Sequence, residues 1–304
     1  METDSSYHVP VLLKESVDGL NIKPDGVYVD ATFGGGGHSR EILSRLTTGR
    51  LIAFDQDGDA AQNAKMIKES SFTFCFANFR YITRFLKVHG IKTVDGVLAD
   101  LGISSHQIDT PERGFSTRYQ ADLDMRMDQK GKVTASVILN TYSEEQLHRI
   151  FGMYGEVRNA KTLAAEIIRV RHSAPLKTTA DLGQILDRLA PKGKDFKYKA
   201  QVFQALRIEV NDEMGALEDF LESLPQIIKP GGKLVVLSYH SLEDRMVKNL
   251  MRAGNINGVQ HKDFYGNLIR PFDPDFTKPI EATKTEIEKN KRARSAKLRI
   301  ATKR

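Results

Sequence analysis

Val29-Asp30-Ala31-Thr32-Phe33-Gly34-Gly35-Gly36-Gly37-His38-Ser39 joins a short apolar run to a segment of helical character through four consecutive glycines. Without Cβ atoms the backbone there approaches a polar small molecule closely, and the amide N–H groups at the start of the following helix face it. The pattern is the opening of a βαβ unit whose turn serves as a cofactor loop. Spacing argues against two common versions of such a loop. A dinucleotide fingerprint, G-x-G-x-x-G/A, ends on a small residue, but this chain has Ser39 at that position counted from Gly34 and Arg40 counted from Gly35. A Walker loop continues from its last glycine into Lys, and His38 stands there instead. An adenosine-type ligand with little phosphate remains. Asp30 before the loop and Asp55 at the end of Leu51-Ile52-Ala53-Phe54-Asp55 suit the amino-acid and ribose ends of S-adenosylmethionine. Asp55 follows the loop by about 20 residues, where a strand-end carboxylate takes ribose hydroxyls.

Working outward, strand patterns at 27–30, 51–55, 72–77 and 96–100 alternate with helical stretches near 38–46, 59–68 and 82–89. This rhythm predicts an α/β fold with a mostly parallel, doubly wound sheet. Ligands of such sheets bind beyond the carboxyl ends of the strands, so Asp30, Asp55, Asn78, Phe79 and Asp100 are expected around one crevice. The rhythm stops after Leu101 and resumes at Gly231-Gly232-Lys233-Leu234-Val235-Val236-Leu237-Ser238. Between them, 144–153, 160–172, 179–189 and 202–210 carry apolar residues at helical spacing. The chain is therefore divided into a core segment 1–107, an inserted, mainly helical substrate-binding subdomain 108–208, and a second core segment 209–304.

At 304 residues and 40% hydrophobic content the chain holds enough apolar surface for a buried core. Its net charge of +6 is concentrated at one end, where residues 284–304 carry nine Lys or Arg against Glu286 and Glu288. Clustered cations favour a polyanion through counterion release. Arg158, Lys161, Arg169 and Arg171, then Lys192, Lys194, Lys197 and Lys199 interleaved with Phe196 and Tyr198, suit a nucleic-acid strand. Alternating Ala296, Leu298 and Ile300 predict a last strand, which makes the basic stretch before it an anchored loop. In Ser238-Tyr239-His240-Ser241, Ser241 is expected to cap a helix over 242–252 with Asp244 as its capping-box partner, and the role of His240 stays open. The lone Cys75 reads as buried and structural. Met1-Glu2-Thr3-Asp4 opens without a leader pattern, and no run nears the ~18 apolar residues of a membrane span, so a cytoplasmic protein is expected.

Several further segments, in order, are Tyr7-His8-Val9-Pro10-Val11-Leu12-Leu13, Asp100-Leu101-Gly102-Ile103-Ser104-Ser105-His106-Gln107, Arg113-Gly114-Phe115-Ser116 and Asp124-Met125-Arg126-Met127-Asp128. Phe203-Gln204-Ala205-Leu206-Arg207-Ile208, Val210-Asn211, His240-Ser241-Leu242-Glu243-Asp244-Arg245 and Arg292-Ala293-Arg294-Ser295-Ala296-Lys297-Leu298-Arg299 complete the set. Together with the glycine loop, this set resembles the bacterial small-subunit rRNA cytosine-N4 methyltransferases, the RsmH or MraW family, over nearly the whole chain. The resemblance implies a class I, Rossmann-like methyltransferase fold with an inserted helical domain. It implies methyl transfer from S-adenosylmethionine to the exocyclic N4 of a cytidine in the decoding region of 16S rRNA, on the small ribosomal subunit. By motif it implies cofactor contacts at Gly36, Gly37, His38, Asp55, Phe79, Asp100 and Gln107. The loop glycines, Asp55 and Asp100 are also reached from the residues themselves. Phe79 is reached only as a flat surface beside adenine, and His38 and Gln107 only through the resemblance.

An aryl-type amine shares its lone pair with the ring, so a carboxylate or carbonyl must hold it in line with the methyl group. Asp100 is the candidate catalytic residue for that task, as proton acceptor or as orienter. Other amino methyltransferases carry Pro-Pro-aromatic after the acid, and here the chain reads Asp100-Leu101-Gly102-Ile103. Phe115 or Tyr239 is the candidate to hold an unstacked base. No resident metal is expected: Asp122, Asp124 and Asp128 lack the glycine turn and late glutamate of a calcium loop, and Arg126 offers an internal ion pair. The alternatives are a DNA amino methyltransferase and a non-catalytic RNA-binding ribosome-assembly protein. Monomer and homodimer both stay open.

Overall fold

The computed structural model describes residues 10–304; the Met1-Glu2-Thr3-Asp4 start and Tyr7, His8 and Val9 of the first motif lie outside the described residues. The chain divides into two compact units, one running to Gly102 and again from Gly215, the other Ile103–Met214. The expected divisions at 107/108 and 208/209 fall inside two helices, Ser105–Asp109 and Asp195–Asn211, and the units part a few residues away, at 102/103 and at 214/215 in the first turn of the next helix.

The first unit is built on strands β1 (Val27–Asp30), β2 (Arg50–Asp55), β3 (Phe72–Phe76), β4 (Val94–Asp100), β5 (Ile228–Ser238), β6 (Phe272–Pro274) and β7 (Lys297–Lys303). They form one seven-stranded sheet in the order β3-β2-β1-β4-β5-β7-β6. The pairings from β3 to β5 are parallel, and β7 runs antiparallel to both β5 and β6. Leu51, Ile52, Ala53 and Phe54 of β2 are wholly buried, as expected of a parallel strand covered on both faces. At the edge, β3 is only partly covered, but Cys75 is buried there and burial pushes its thiol up to about 11.

The helices accompanying the first strands are α1 (Leu13–Gly19), α2 (Gly37–Ser44), α3 (Gly58–Ala64) and α4 (Ile82–Val88). The stretch 59–68 is helical only to Ala64; Lys65, Met66 and Ile67 continue in tighter turns, donating to Gln62, Asn63 and Ala64 carbonyls. The second unit holds α5 (Ser105–Asp109), α6 (Ala135–Thr141), α7 (Glu144–Met153), α8 (Ala160–Arg171), α9 (Thr179–Leu189) and α10 (Asp195–Asn211). Its core gathers Leu147, Ile150, Phe151, Leu163, Ile167 and Leu206. Asn211 ties it to the Asp124–Asp128 motif by accepting from Met127 N–H at 2.7 Å and donating to the Met125 carbonyl at 2.8 Å. Arg126 pairs with Asp124 at 2.6 Å, the internal ion pair expected of that run.

Several basic and aromatic residues of this unit are not where an RNA surface requires them. Phe115 is core, with the Arg113 guanidinium over its ring at 5.8 Å. Tyr198 is buried because α10 begins at Asp195 and turns it inward, while Phe196 remains exposed. Arg171 donates to the Leu139 and Tyr142 carbonyls at 2.9 and 2.7 Å, closing the ends of its neighbours.

The chain re-enters the first unit along α11 (Glu213–Ile227), followed by α12 (Ser241–Ala253) and α13 (Lys284–Lys289). The Lys229-Pro230-Gly231-Gly232 turn lies within β5 as a bulge: the register passes from Val94 opposite Ile228 to Gly96 opposite Lys233. The basic stretch before β7 is helical, made of α13 and a 3-10 turn, Lys291–Ser295, started by Asn290 and pinned by buried Ala293. The cap of α12 also differs from expectation. His240, not Ser241, is the N-cap, in a reciprocal box with Glu243. Asp244 is released for Arg299, whose Nε lies 2.7 Å away with both side chains largely buried.

Burial alone would raise the Asp244 carboxyl, but the hydrogen bonds and charge of Arg299 outweigh it and hold the group below the usual carboxylate range. The pair's contribution is therefore present above a pH of about 4 and is lost as pH falls through the depressed value. Asp244→Ala, which strands a buried guanidinium, is expected to cost about 3 kcal/mol near neutral pH and much less near pH 3, measured by urea unfolding at both.

Candidate active site

Three strand ends bring carboxylates to the same edge of the sheet: Asp30 closes β1, Asp55 closes β2 and Asp100 closes β4. Asp30, on the middle strand, is wholly buried and accepts from Ser39 Oγ at 2.7 Å and from Thr32 N–H at 3.1 Å. Burial raises it to about 6. Both of its oxygens are thus engaged in shaping the glycine loop. Asp55 accepts from Gly34 N–H at 2.8 Å and from Asp57 N–H at 2.9 Å, and burial, aided by the charges of Asp57 and Asp30, raises it to about 6.

The loop between them has one open glycine and two confined ones. Gly34 has φ of +52°, and a Cβ there would meet nothing within 4 Å. Gly36, at φ +77°, is the N-cap of α2, and its Cβ would lie 2.6 Å from the Phe33 ring. Gly37 leaves no room either, since Pro10 Cγ would lie 2.2 Å from a Cβ. The glycines at 36 and 37 are therefore demanded by internal packing as well as by the turn, and the open space lies at Gly34. The N–H groups of Gly37, His38 and Ser39 begin α2, where no intrahelical carbonyl reaches them.

His38 is buried on α2, with Nδ1 at 3.9 Å from Asp100 Oδ2. Burial lowers it to about 4, so the ring is neutral near pH 7. Its Nε2 is buried and finds no hydrogen-bond partner among the described residues. Asp100 donates its N–H to Thr32 Oγ1 at 2.6 Å, and its Oδ1 accepts the Tyr239 hydroxyl at 2.7 Å. Burial, with smaller contributions from the Asp30 and Glu243 charges, raises Asp100 to about 7 against the opposing hydrogen bond. Phe79 opens a short 3-10 turn after β3, its ring edge-on to Phe220 at 5.1 Å, and neighbouring Asn78 donates to Gln56 at 2.9 Å. Gln107 belongs to the second unit, where it forms the capping box of α5 with Ser104.

Asp30, His38, Asp55 and Asp100 are thus brought together, whereas Phe79 follows β3 and packs on Phe220 of α11. Tyr239 was legible only as an aromatic beside the strand end; its hydroxyl contact requires the β4–β5 register to be known. His240 lies with Nε2 at 3.1 Å from Glu243 Oε1, as part of the α12 cap.

Buried carboxylates, an orphaned imidazole nitrogen and a Cβ-free opening suit a cationic, hydroxyl-bearing adenosine ligand, which offers charge and donors to groups left short of both. The sheet order, with only β7 reversed, and this carboxyl-edge site define a class I methyltransferase, the class that uses S-adenosylmethionine as methyl donor. The profile of the MraW methylase family matches residues 5–304, and the chain belongs to that family. A ribosomal RNA small subunit methyltransferase H from Cytophaga hutchinsonii is 60% identical over 295 residues, covering 97% of this chain and 99% of the relative. Proteins of the same name from Flavobacterium johnsoniae and Bacteroides thetaiotaomicron are 55% and 54% identical, each aligned over 100% of both chains.

An acid whose folded value is raised destabilises the fold once it ionises, so the penalty is absent below a pH of about 4 and complete above the raised value. Asp100→Asn is expected to raise the ligand-free melting temperature at pH 8.5 and leave it nearly unchanged at pH 4.5. The expected gain is about 1–2 kcal/mol, because 22% of the Asp100 side chain stays exposed and solvent screens its charge. Scanning calorimetry at the two pH values checks it.

Proposed function

We propose that the protein transfers the methyl group of S-adenosylmethionine to the exocyclic N4 of a cytidine in the decoding region of 16S rRNA, on the small ribosomal subunit and in the cytoplasm. The observation that carries this reading is the full-length identity, 53–60%, to relatives named ribosomal RNA small subunit methyltransferase H. Among the described residues no helix is long and apolar enough to cross a membrane.

Gly36, Gly37 and His38 are the residues assigned to the donor at the start of α2, Asp55 to ribose hydroxyls, Phe79 to the adenine face and Gln107 to a further contact. Bound S-adenosylmethionine supplies an activated methyl on a sulfonium. Asp100 stands where it accepts an N–H hydrogen bond from the amine, so that the nitrogen lone pair is aimed at that methyl. Positioning of this kind lowers the barrier by removing orientational freedom before reaction. A DNA substrate is disfavoured by Asp100-Leu101-Gly102-Ile103, which lacks the Pro-Pro-aromatic that follows the acid in amino methyltransferases of that type.

Incubation with methyl-labelled S-adenosylmethionine and small subunits from a strain lacking the activity tests the reading. Label is expected in N4-methylcytidine; label entering only DNA, or tight binding without transfer, would sink it. Asp100→Ala is expected to reduce transfer at saturating donor by at least about 100-fold, and near-normal turnover would remove Asp100 from beside the amine. For the basic end, Lys291 and Arg294 are exposed. Replacing both by Gln is expected to weaken subunit binding and lower the salt-dependence slope by about one per charge, measured by filter binding across a salt series.

A further inference from the structure

Tyr239 lies at the junction between β5 and α12, and contacts at three points hold it in place. Its backbone N–H donates to Glu243 Oε2 at 2.8 Å, anchoring it to the α12 cap. Its ring packs against Gly102, which has φ of +104° and whose missing Cβ would lie 3.1 Å from Tyr239 Cδ2. Its hydroxyl donates to Asp100 Oδ1 at 2.7 Å. We infer that Tyr239 is a positioning residue for methyl transfer: its hydroxyl engages one Asp100 oxygen and leaves Oδ2 to accept the N–H of the incoming amine. This rests on the proposed placement of Asp100 beside the amine.

The charges around Asp100 explain why the contact matters. Asp30 faces it from β1 and Glu243 from α12, and both oppose its ionisation along with burial. His38 from α2 is neutral near pH 7 and places no full positive charge beside Oδ2. Among the described residues, the Tyr239 hydroxyl is what favours the carboxylate. Burial and the Asp100 charge raise the phenol well above its ordinary value, so it remains a donor across the working range. A protonated Asp100 has lost acceptor capacity at the oxygen carrying the proton, so transfer should rise with pH as this group ionises. Removing the hydroxyl leaves the opposing influences in place and moves that ionisation upward.

The test compares wild type with Tyr239→Phe, which keeps the ring against Gly102, and with 3-fluorotyrosine placed at 239, a stronger donor. Ligand-free protein labelled with [γ-13C]aspartate reports Asp100 directly, its resonance identified by its absence in Asp100→Asn. The titration midpoint is expected to rise by about one unit in Tyr239→Phe and to fall in the fluorinated protein. The acid limb of the kcat profile should shift in the same directions, with KM for the donor within about twofold and Tyr239→Phe recovering at high pH. Unmoved midpoints, or a loss of kcat equal at every pH, would overturn the role of Tyr239. Retained transfer in Asp100→Ala would overturn the Asp100 placement instead, and loss of transfer in Asp100→Ala with unmoved Tyr239 variants would leave that placement standing alone.

Discussion

Desolvation of carboxylates at the ends of β1, β2 and β4 is the constraint from which the site takes its shape. Asp30 is wholly buried, and Ser39 and the Thr32 amide satisfy it. Those two partners flank the glycines, so satisfying one buried acid also sets the path of the loop. Asp55 repeats the arrangement one strand away by accepting the Gly34 amide. Thr32 contributes twice, since its amide serves Asp30 and its hydroxyl receives the Asp100 amide. The result is a hydrogen-bonded rim that ties three parallel strands together at their carboxyl ends, and polar groups in such a low-dielectric setting cost heavily if left unpaired.

What the sequence disclosed followed the range of the interactions involved. Apolar runs and turn residues are local, so β1, β2 and β4 and their terminal acids could be placed within a residue or two from one-dimensional pattern. A last strand was also visible in Ala296, Leu298 and Ile300, but its antiparallel direction was not. Side-chain commitments made across the sheet were hidden. Asp244 looks like a capping partner until β7 brings Arg299 against it, after which His240 and Glu243 take over the cap. Tyr239 and Asp100 are 139 positions apart, and only the parallel pairing of β4 with β5 makes them neighbours. Basic and aromatic clusters misled for a related reason. Tyr198, Arg171 and Phe115 are residue types that suit RNA, but helix phase turns Tyr198 and Arg171 toward protein, and Phe115 packs into the core from the loop after Arg113.

The second unit shows how motif residues can be retained for architecture. Met125 adopts φ of +62°, a conformation that costs a non-glycine residue free energy. The flanking backbone is secured by Asn211 and by the Arg113 guanidinium, which donates to the Arg126 and Met127 carbonyls at 2.9 and 3.2 Å. Segments that resemble the family at Arg113–Ser116, Asp124–Asp128 and Val210–Asn211 thereby form one structural clamp. Their chemistry is satisfied internally, which separates them from Asp100, where acceptor capacity is left over, and from His38, whose Nε2 has no hydrogen-bond partner among the described residues.

That leftover capacity links the fold to the proposed reaction. Asp55 and Asp100 are raised to about 6 and about 7 by burial, so the ligand-free site is partly protonated near neutrality. A cationic donor with ribose hydroxyls would favour the ionised forms and relieve the desolvation that raises them, whereas an anionic dinucleotide would meet carboxylates without that compensation. Selectivity for the kind of cofactor would then come from the same burial that shapes the loop, and the neutral His38 would add a hydrogen-bonding group without cancelling the acids' charge. Under this reading Gly34 provides the opening, and the acids beneath the loop select the charge of what enters.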